Sequence, residues 1–244
     1  MRTPSLVLDF DGVIADALEE CALVTWLGAH PPARERAISS YLPVMPAGFR
    51  QRFRLVRDYS RILAHFVVAH RPVAAHITTR TRFETVFGAI SADYVRGFSA
   101  LATSARTRCR TEEPQRWLGL HTLYPGVADV LRAHSGAIAV VTAKDEASVR
   151  AILEHHGLGQ TVGQVFGECS RKPDAVRELA ARHGIGTDRL TFVDDNLGNV
   201  LQVAQTGARG LWAMWGYSTP EDHLRARNER VERLGLADLG RLTG

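Results

Sequence analysis

The chain carries at residues 5–16 the stretch Ser-Leu-Val-Leu-Asp-Phe-Asp-Gly-Val-Ile-Ala-Asp. A short apolar run that ends in polar residues and a glycine is typical of a buried parallel strand followed by its exit turn. The stretch therefore predicts a strand that carries Asp9 and Asp11 to the edge of a sheet.

The segment from residue 16 to residue 120 has a different pattern. Amphipathic stretches dominate it at 18–27, 49–68 and 82–101. The alternation of apolar and polar residues that marks a half-buried strand is scarce there. We therefore expect an all-helical insertion between the first strand and the rest of the sheet.

Strands that alternate with helices are predicted after residue 124. Strands are expected at 137–141, 164–166, 190–193 and 210–214, the last as the final core strand, with helices at 145–155, 173–183 and 197–205. This alternation predicts an α/β fold, with a Rossmann-like parallel sheet covered by helices on both faces. The core domain is expected to span residues 1–15 and 121–244, and the helical cap domain residues 16–120.

The composition is that of an ordinary globular protein, 45% hydrophobic and 23% charged. The net charge of +4 is spread along the chain rather than gathered in one basic block, which argues against nucleic acid as a partner. No apolar run is long enough to cross a bilayer, and the first residues do not resemble a signal peptide. We therefore expect no membrane association and a cytoplasmic location.

Polar residues end the predicted strands, and in an open parallel sheet ligands bind beyond the carboxyl ends of the strands. The residues that four segments bring to this edge are Asp9, Asp11, Thr142, Lys172, Asp194 and Asp195. Crowded carboxylates repel each other unless a cation offsets their charge, and Mg²⁺ prefers such oxygen ligands. Only two of the 30 Lys and Arg residues are lysines, Lys144 and Lys172. This rarity favours a specific role for Lys172 over that of a solvated loop residue.

This set of side chains suits phosphoryl transfer. An aspartate can attack phosphorus and form an aspartyl-phosphate. A second carboxylate two residues away can protonate the leaving alcohol and later deprotonate water. A threonine hydroxyl and a lysine ammonium can hold the phosphoryl oxygens.

The same residues resemble the motifs of the haloacid dehalogenase-like (HAD) phosphatases. Residues 9–16 resemble the first motif, residues 140–142 the second, Lys172-Pro173 the third, and residues 192–195 followed by Asn199 the fourth. The resemblance covers the whole chain and is closest to the phosphoglycolate phosphatase-like branch, in which a helical cap is inserted. It implies Mg²⁺ as the cofactor and hydrolysis of a small phosphorylated metabolite.

The resemblance also implies individual roles. Asp9 is expected to be the nucleophile and Asp11 the general acid and base, with Thr142 and Lys172 as further catalytic and substrate-binding residues. Ala143 is expected to contact the substrate, although relatives often have Asn at this position. The expected metal ligands are Asp9, Asp195 and the main-chain carbonyl of Asp11. Asp194 stands where many relatives carry Gly or Glu, and its role is open between a water-mediated contact and charge tuning.

Other activities on this fold differ by single residues. Dehalogenases lack the second aspartate, so Asp11 argues against them, and phosphonate-cleaving relatives need a cap lysine that residues 16–120 do not contain. A phosphomutase of the β-phosphoglucomutase type keeps all four motifs and is the alternative. A non-catalytic phosphate-binding or scaffold role is the second alternative. Sugar phosphates, phosphoglycolate and a biosynthetic intermediate all stay open as substrates, and the protein could be a monomer or a homodimer.

Overall fold

The structure, a computed structural model, describes residues 3–31 and 37–243. The chain forms two compact units, one built from Met1–Asp16 with Thr122–Gly244 and the other from Ala17–His121. The domain boundaries predicted from the sequence fall one residue earlier in the chain at both junctions. Within the described ranges, none of the helices combines the length and the apolar character that spanning a membrane requires.

All the strands lie in the first unit, so far as the chain is described. In chain order they are β1 Leu6–Leu8, β2 Ala15–Asp16, β3 Thr122–Leu123, β4 Ile138–Val141, β5 Val162–Phe166, β6 Thr191–Asp194, β7 Arg209–Ala213 and β8 Glu232–Leu234. The helices are α1 Leu18–Ala29, α2 Ala47–Tyr59, α3 Arg80–Gly88, α4 Ala92–Glu112, α5 Pro114–Leu118, α6 Val127–Ala133, α7 Glu146–His155, α8 Lys172–Arg182, α9 Leu197–Ala204 and α10 Pro220–Asn228.

Six strands form one parallel sheet in the order β5-β4-β1-β6-β7-β8. β1 lies inside the sheet, between β4 and β6. Each of its three residues is buried, as expected for a strand covered on both faces. Leu8 pairs with Val140 of β4 on one side and with Val193 of β6 on the other. The residues that follow β1, β4 and β6 therefore lie side by side at one edge of the sheet.

The predicted α/β fold class, with a parallel sheet and a helical insertion after the first strand, is confirmed. The strand predicted at residues 210–214 corresponds to β7, but the prediction that it is the last core strand is wrong. β8 continues the sheet beyond β7, pairing Leu234 with Ala213. Its sequence is Glu-Arg-Leu with one buried residue, so no apolar run marks it, and only its pairing with β7 reveals it.

The second unit, where it is described, consists of α1–α5 and shorter 3₁₀ segments. Its core is rich in buried aromatic side chains, among them Phe49, Phe53 and Phe83. An ion pair of the buried Glu20 with the partly exposed Arg106 joins α1 to α4, with Arg106 Nε 2.6 Å from Glu20 Oε1. A buried carboxylate is costly unless it is paired in this way.

Candidate active site

The turn after β1 is built around Gly12. Its φ of +89° lies in the left-handed region that favours glycine. A side chain there would also collide with the Asp195 carboxylate. The turn is closed by hydrogen bonds from the N–H groups of Ile14 and Ala15 to the Phe10 carbonyl, at 2.8 and 3.0 Å. This geometry brings the first aspartate motif against the end of β6.

Lys172 lies between two buried carboxylates. It is the first residue of α8, and its Nζ atom is 2.7 Å from Asp9 Oδ2 and 2.9 Å from Asp194 Oδ2. Asp194 also accepts hydrogen bonds from the Asn196 N–H at 2.7 Å and from the Asn199 side-chain amide at 3.0 Å. Asp194, whose role the sequence leaves open, thus contacts Lys172 directly and fixes its ammonium beside Asp9.

Burial raises the pKa of the Asp9 carboxyl to about 6, with Lys172 opposing the rise and Asp194 adding to it. Burial by itself would lower the pKa of Lys172, but the Asp194 and Asp9 carboxylates outweigh burial, and the pKa lies above its ordinary range. Lys172 is therefore positively charged at neutral pH. The raised pKa of Asp9, in contrast, lies close to neutral pH as long as no further positive charge is nearby.

Three carboxylates meet here in a way that suits a cation. Asp9, Asp194 and Asp195 each offer an oxygen, and these oxygens lie within 4.8 Å of one another. One ammonium group offsets only part of their charge. Hard oxygen donors in this number are what Mg²⁺ binds in proteins, so the donor set fits the expected metal. Asp9 and Asp195, both predicted ligands, lie in this cluster, and the role of the Asp11 carbonyl stays a prediction.

Asp195 is held by β7 and by the segment that follows it. The Tyr217 N–H donates to Asp195 Oδ2 at 2.7 Å, and the Trp212 indole donates to the Asp195 carbonyl at 2.7 Å. The Tyr217 hydroxyl donates to Asp16 at 2.7 Å, and the Trp215 indole to the Val13 carbonyl at 3.2 Å. Residues 215–217 therefore tie Asp195 to the first motif. The sequence prediction did not name residues 215–217 as site residues, because no local pattern signals these contacts.

Thr142 directly follows β4, beside the turn that follows β1. It is buried, and its hydroxyl accepts a hydrogen bond from the Lys144 N–H at 3.2 Å. Ala143 is exposed between two buried neighbours, so a substrate contact there would use its main chain. The predicted substrate-binding roles of Thr142 and Ala143 stay predictions.

Lys144 completes the group of charged side chains. Its Nζ atom is 3.3 Å from Asp11 Oδ2, and the lysine side chain is only 1% exposed. The sequence prediction did not name it as a site residue. The signal was present, since it is one of two lysines in a chain that otherwise uses arginine.

A comparison with known families decides the classification. The sequence model of the haloacid dehalogenase-like hydrolases matches residues 5–205, most of the chain. The chain belongs to the haloacid dehalogenase-like hydrolase family. The family resemblance predicted from the motifs is thereby confirmed.

Among curated proteins, the chain is similar to the probable phosphatase IndB of Dickeya dadantii, with 31% identity over 117 residues. It is also similar to a phosphoglycolate phosphatase of Vibrio cholerae, with 28% identity over 120 residues. These matches cover 45% and 46% of this chain, and 50% and 53% of the two relatives. The chain thus spans about half the length of the curated relatives that it matches.

Among solved structures, the fold is similar to that of a predicted phosphoglycolate phosphatase from Haemophilus somnus. The two chains cover each other completely, with a TM-score of 0.66 and 16% identity. At that level of identity the similarity concerns the fold, and the activity of this HAD hydrolase has to be argued from its own site.

Proposed function

We propose that this HAD hydrolase is a Mg²⁺-dependent phosphatase that hydrolyses a small phosphomonoester through an aspartyl-phosphate on Asp9. The observation that carries the proposal is the position of Asp9, whose Oδ2 atom is 2.7 Å from Lys172 Nζ and which shares a carboxylate cluster with Asp195. A nucleophilic carboxylate beside a fixed ammonium and a cation site is what phosphoryl transfer needs. The phosphatase names of both curated relatives support the same reading.

In the first step, a carboxylate oxygen of Asp9 attacks phosphorus while the bond from phosphorus to the ester oxygen breaks. The leaving oxygen takes a proton from the Asp11 carboxyl group, so an alcohol departs and Asp11 becomes a carboxylate. Lys172 and the Thr142 hydroxyl hold the phosphoryl oxygens. Mg²⁺, bound by Asp9, Asp195 and the Asp11 carbonyl, would supply positive charge that offsets these carboxylates and the phosphoryl group.

In the second step, water attacks the aspartyl-phosphate and gives its proton to the Asp11 carboxylate. The bond between phosphorus and Asp9 breaks, so inorganic phosphate leaves and the Asp9 carboxylate is restored. Asp11 has regained the proton that it lost in the first step, and the cycle is closed.

The purified protein is expected to release phosphate from at least one member of a broad panel of small phosphate esters, phosphoglycolate included, and only when Mg²⁺ is present. Malachite-green detection of phosphate, with and without EDTA, measures this. Release of phosphate at an undiminished rate in EDTA would contradict the metal requirement. Transfer between sugar positions that a sugar bisphosphate stimulates would indicate the phosphomutase, and a folded protein without either activity would indicate the scaffold.

Gly216→Ala is expected to lower the affinity for Mg²⁺ by about tenfold or more, because the supports of a metal ligand typically matter by this amount. A side chain at residue 216 would collide with the Gly12 carbonyl and with Asp195, so the carboxylate would be pushed away from Asp9. Calorimetric titration with Mg²⁺ measures the change. Gly97→Ala, on α4 where the added methyl group meets open space, is the matched control and should bind Mg²⁺ as the wild type does.

A further inference from the structure

The two lysines of this chain occupy equivalent settings. Both are buried, and each pairs with one aspartate of the turn after β1: Lys172 with Asp9 at 2.7 Å and Lys144 with Asp11 at 3.3 Å. The other 28 basic residues are arginine. The sequence departs from its preference for arginine at these two positions alone, and both positions contact the proposed catalytic aspartates.

The main chain on both sides of Lys144 is fixed. Its N–H donates to the Thr142 hydroxyl at 3.2 Å, and its carbonyl accepts from the Glu168 N–H at 3.0 Å. The next residue, Asp145, caps α7 by accepting a hydrogen bond from the Ser148 N–H at 2.9 Å. The Lys144 side chain therefore starts from a rigid base, and its ammonium is held at Asp11.

The choice of lysine over arginine has a chemical reason here. A guanidinium tends to engage both oxygens of a carboxylate in parallel hydrogen bonds, whereas an ammonium acts as a point charge on one oxygen. Lys144 lies at Asp11 Oδ2. Asp11 Oδ1 is buried and has no hydrogen-bond partner among the described residues, so no described group competes with a substrate for this oxygen.

We propose that Lys144 is a positioning residue, whose ammonium contacts Asp11 Oδ2 whether or not Asp11 is protonated, so that the other oxygen, Oδ1, carries the proton and is aimed at the leaving group of the ester. This inference rests on the proposed role of Asp11 as general acid and base. Lys144 itself gives up no proton and forms no bond in the reaction. Its effect should therefore appear only in the steps in which Asp11 transfers a proton.

The leaving group provides the test, because an alkoxide needs a proton in order to leave and p-nitrophenolate does not. We compare the wild type with Lys144→Met on p-nitrophenyl phosphate and on phosphoglycolate, or on the best alkyl ester of the panel. Release of the phenol or alcohol is followed in a single turnover with enzyme in excess, since Asp11 serves both esters equally in the later step with water.

Lys144→Met is expected to slow release of the alcohol about a hundredfold, which is the low end of what general acid catalysis contributes. Release of p-nitrophenol should slow less than about fivefold, and the enzyme concentration that gives half the maximal rate should stay within about threefold for both esters. In an Asp11→Asn background the same substitution should cause no further loss, because residues that act through one group are not additive. Lys172→Met should slow both esters alike.

Equal losses on the two esters, a rise in the half-saturating enzyme concentration without a fall in the maximal rate, or a full additional loss in the Asp11→Asn background would each overturn the inference. Lys144→Gln is measured in parallel, so that poor folding of the methionine variant does not decide the result. An active wild type with an unaffected Lys144→Met overturns the role of Lys144 alone. A wild type that releases nothing from any ester of the panel overturns the proposed function, and the role of Lys144 falls with it.

Discussion

Asp9→Asn is expected to abolish phosphate release, by at least about 10⁴-fold, because an amide cannot attack phosphorus and no neighbouring group replaces the nucleophile. The substitution should leave the fold intact. The measurement is single-turnover phosphate release with Mg²⁺. Asp93→Asn is the matched control, since Asp93 lies exposed on α4 and should be fully replaceable.

Asp9→Asn should lower the activity but not the stability of the metal-free protein. The pKa of Asp9 is raised by burial from its ordinary 3.8 to about 6, so the folded, metal-free protein holds this proton more tightly than the unfolded chain does. The resulting stabilisation is complete below pH 3.8 and is lost as the pH rises through about 6. Asparagine mimics the protonated form, so in EDTA at pH 7.5 Asp9→Asn should melt at or above the temperature of the wild type.

Binding of beryllium fluoride tests directly whether Asp9 is the group that takes up the phosphoryl group. It imitates a phosphoryl group on an aspartate, so it should raise the melting temperature of the wild type only when Mg²⁺ is also present. Asp9→Asn should show no such rise. Protection of the wild type without metal, or of the variant with metal, would contradict the role of Asp9.

Lys172→Met is expected to reduce kcat/KM by about a thousandfold or more, since an ammonium that holds phosphoryl oxygens acts mainly on the transition state. It should also destabilise the metal-free protein by about 3–5 kcal/mol, because Asp9 and Asp194 would remain buried without their cation. The pKa of Lys172 is raised by these carboxylates, so its stabilising contribution is complete below the ordinary lysine pKa and therefore at pH 7.5.

Urea unfolding in EDTA measures the loss of stability, and Arg177→Met, half-exposed on the same helix α8, is the control. Adding Asp194→Asn to Lys172→Met should recover part of the lost stability, because it removes one of the two unpaired carboxylates. If Lys172→Met were as stable as the wild type, the positive charge of Lys172 would not be what stabilises the buried carboxylates of Asp9 and Asp194.

Much of the core fold could be predicted from the sequence because its signals are local. The apolar run of β1, the aspartate turn and the prolines that open helices each reflect a preference of neighbouring residues. β8 could not be predicted, because two of its three residues are polar and exposed. Its place in the sheet depends on pairing with β7, which is too distant in the sequence to contribute to a local pattern.

The predicted site residues that lie at the ends of β1, β4 and β6 are adjacent for a general reason. In a parallel sheet all carboxyl ends share one edge, so polar residues that end neighbouring strands meet there. What could not be predicted was which charges pair. The contact of Asp194 with Lys172, and that of Lys144 with Asp11, depends on side-chain directions fixed by the packing of α8 and of the segment after β4.

The sequence by itself determined the α/β fold, the helical insertion and the aspartates that follow β1 and β6, because these follow from local patterning. Only the tertiary structure decided how the aspartates are held. Tyr217 donates to Asp16, 201 positions away in the chain, and Gly216 leaves room for Asp195 against Gly12. Such contacts join segments that the order of strands in the sheet brings together, and no pattern within either segment encodes its partner.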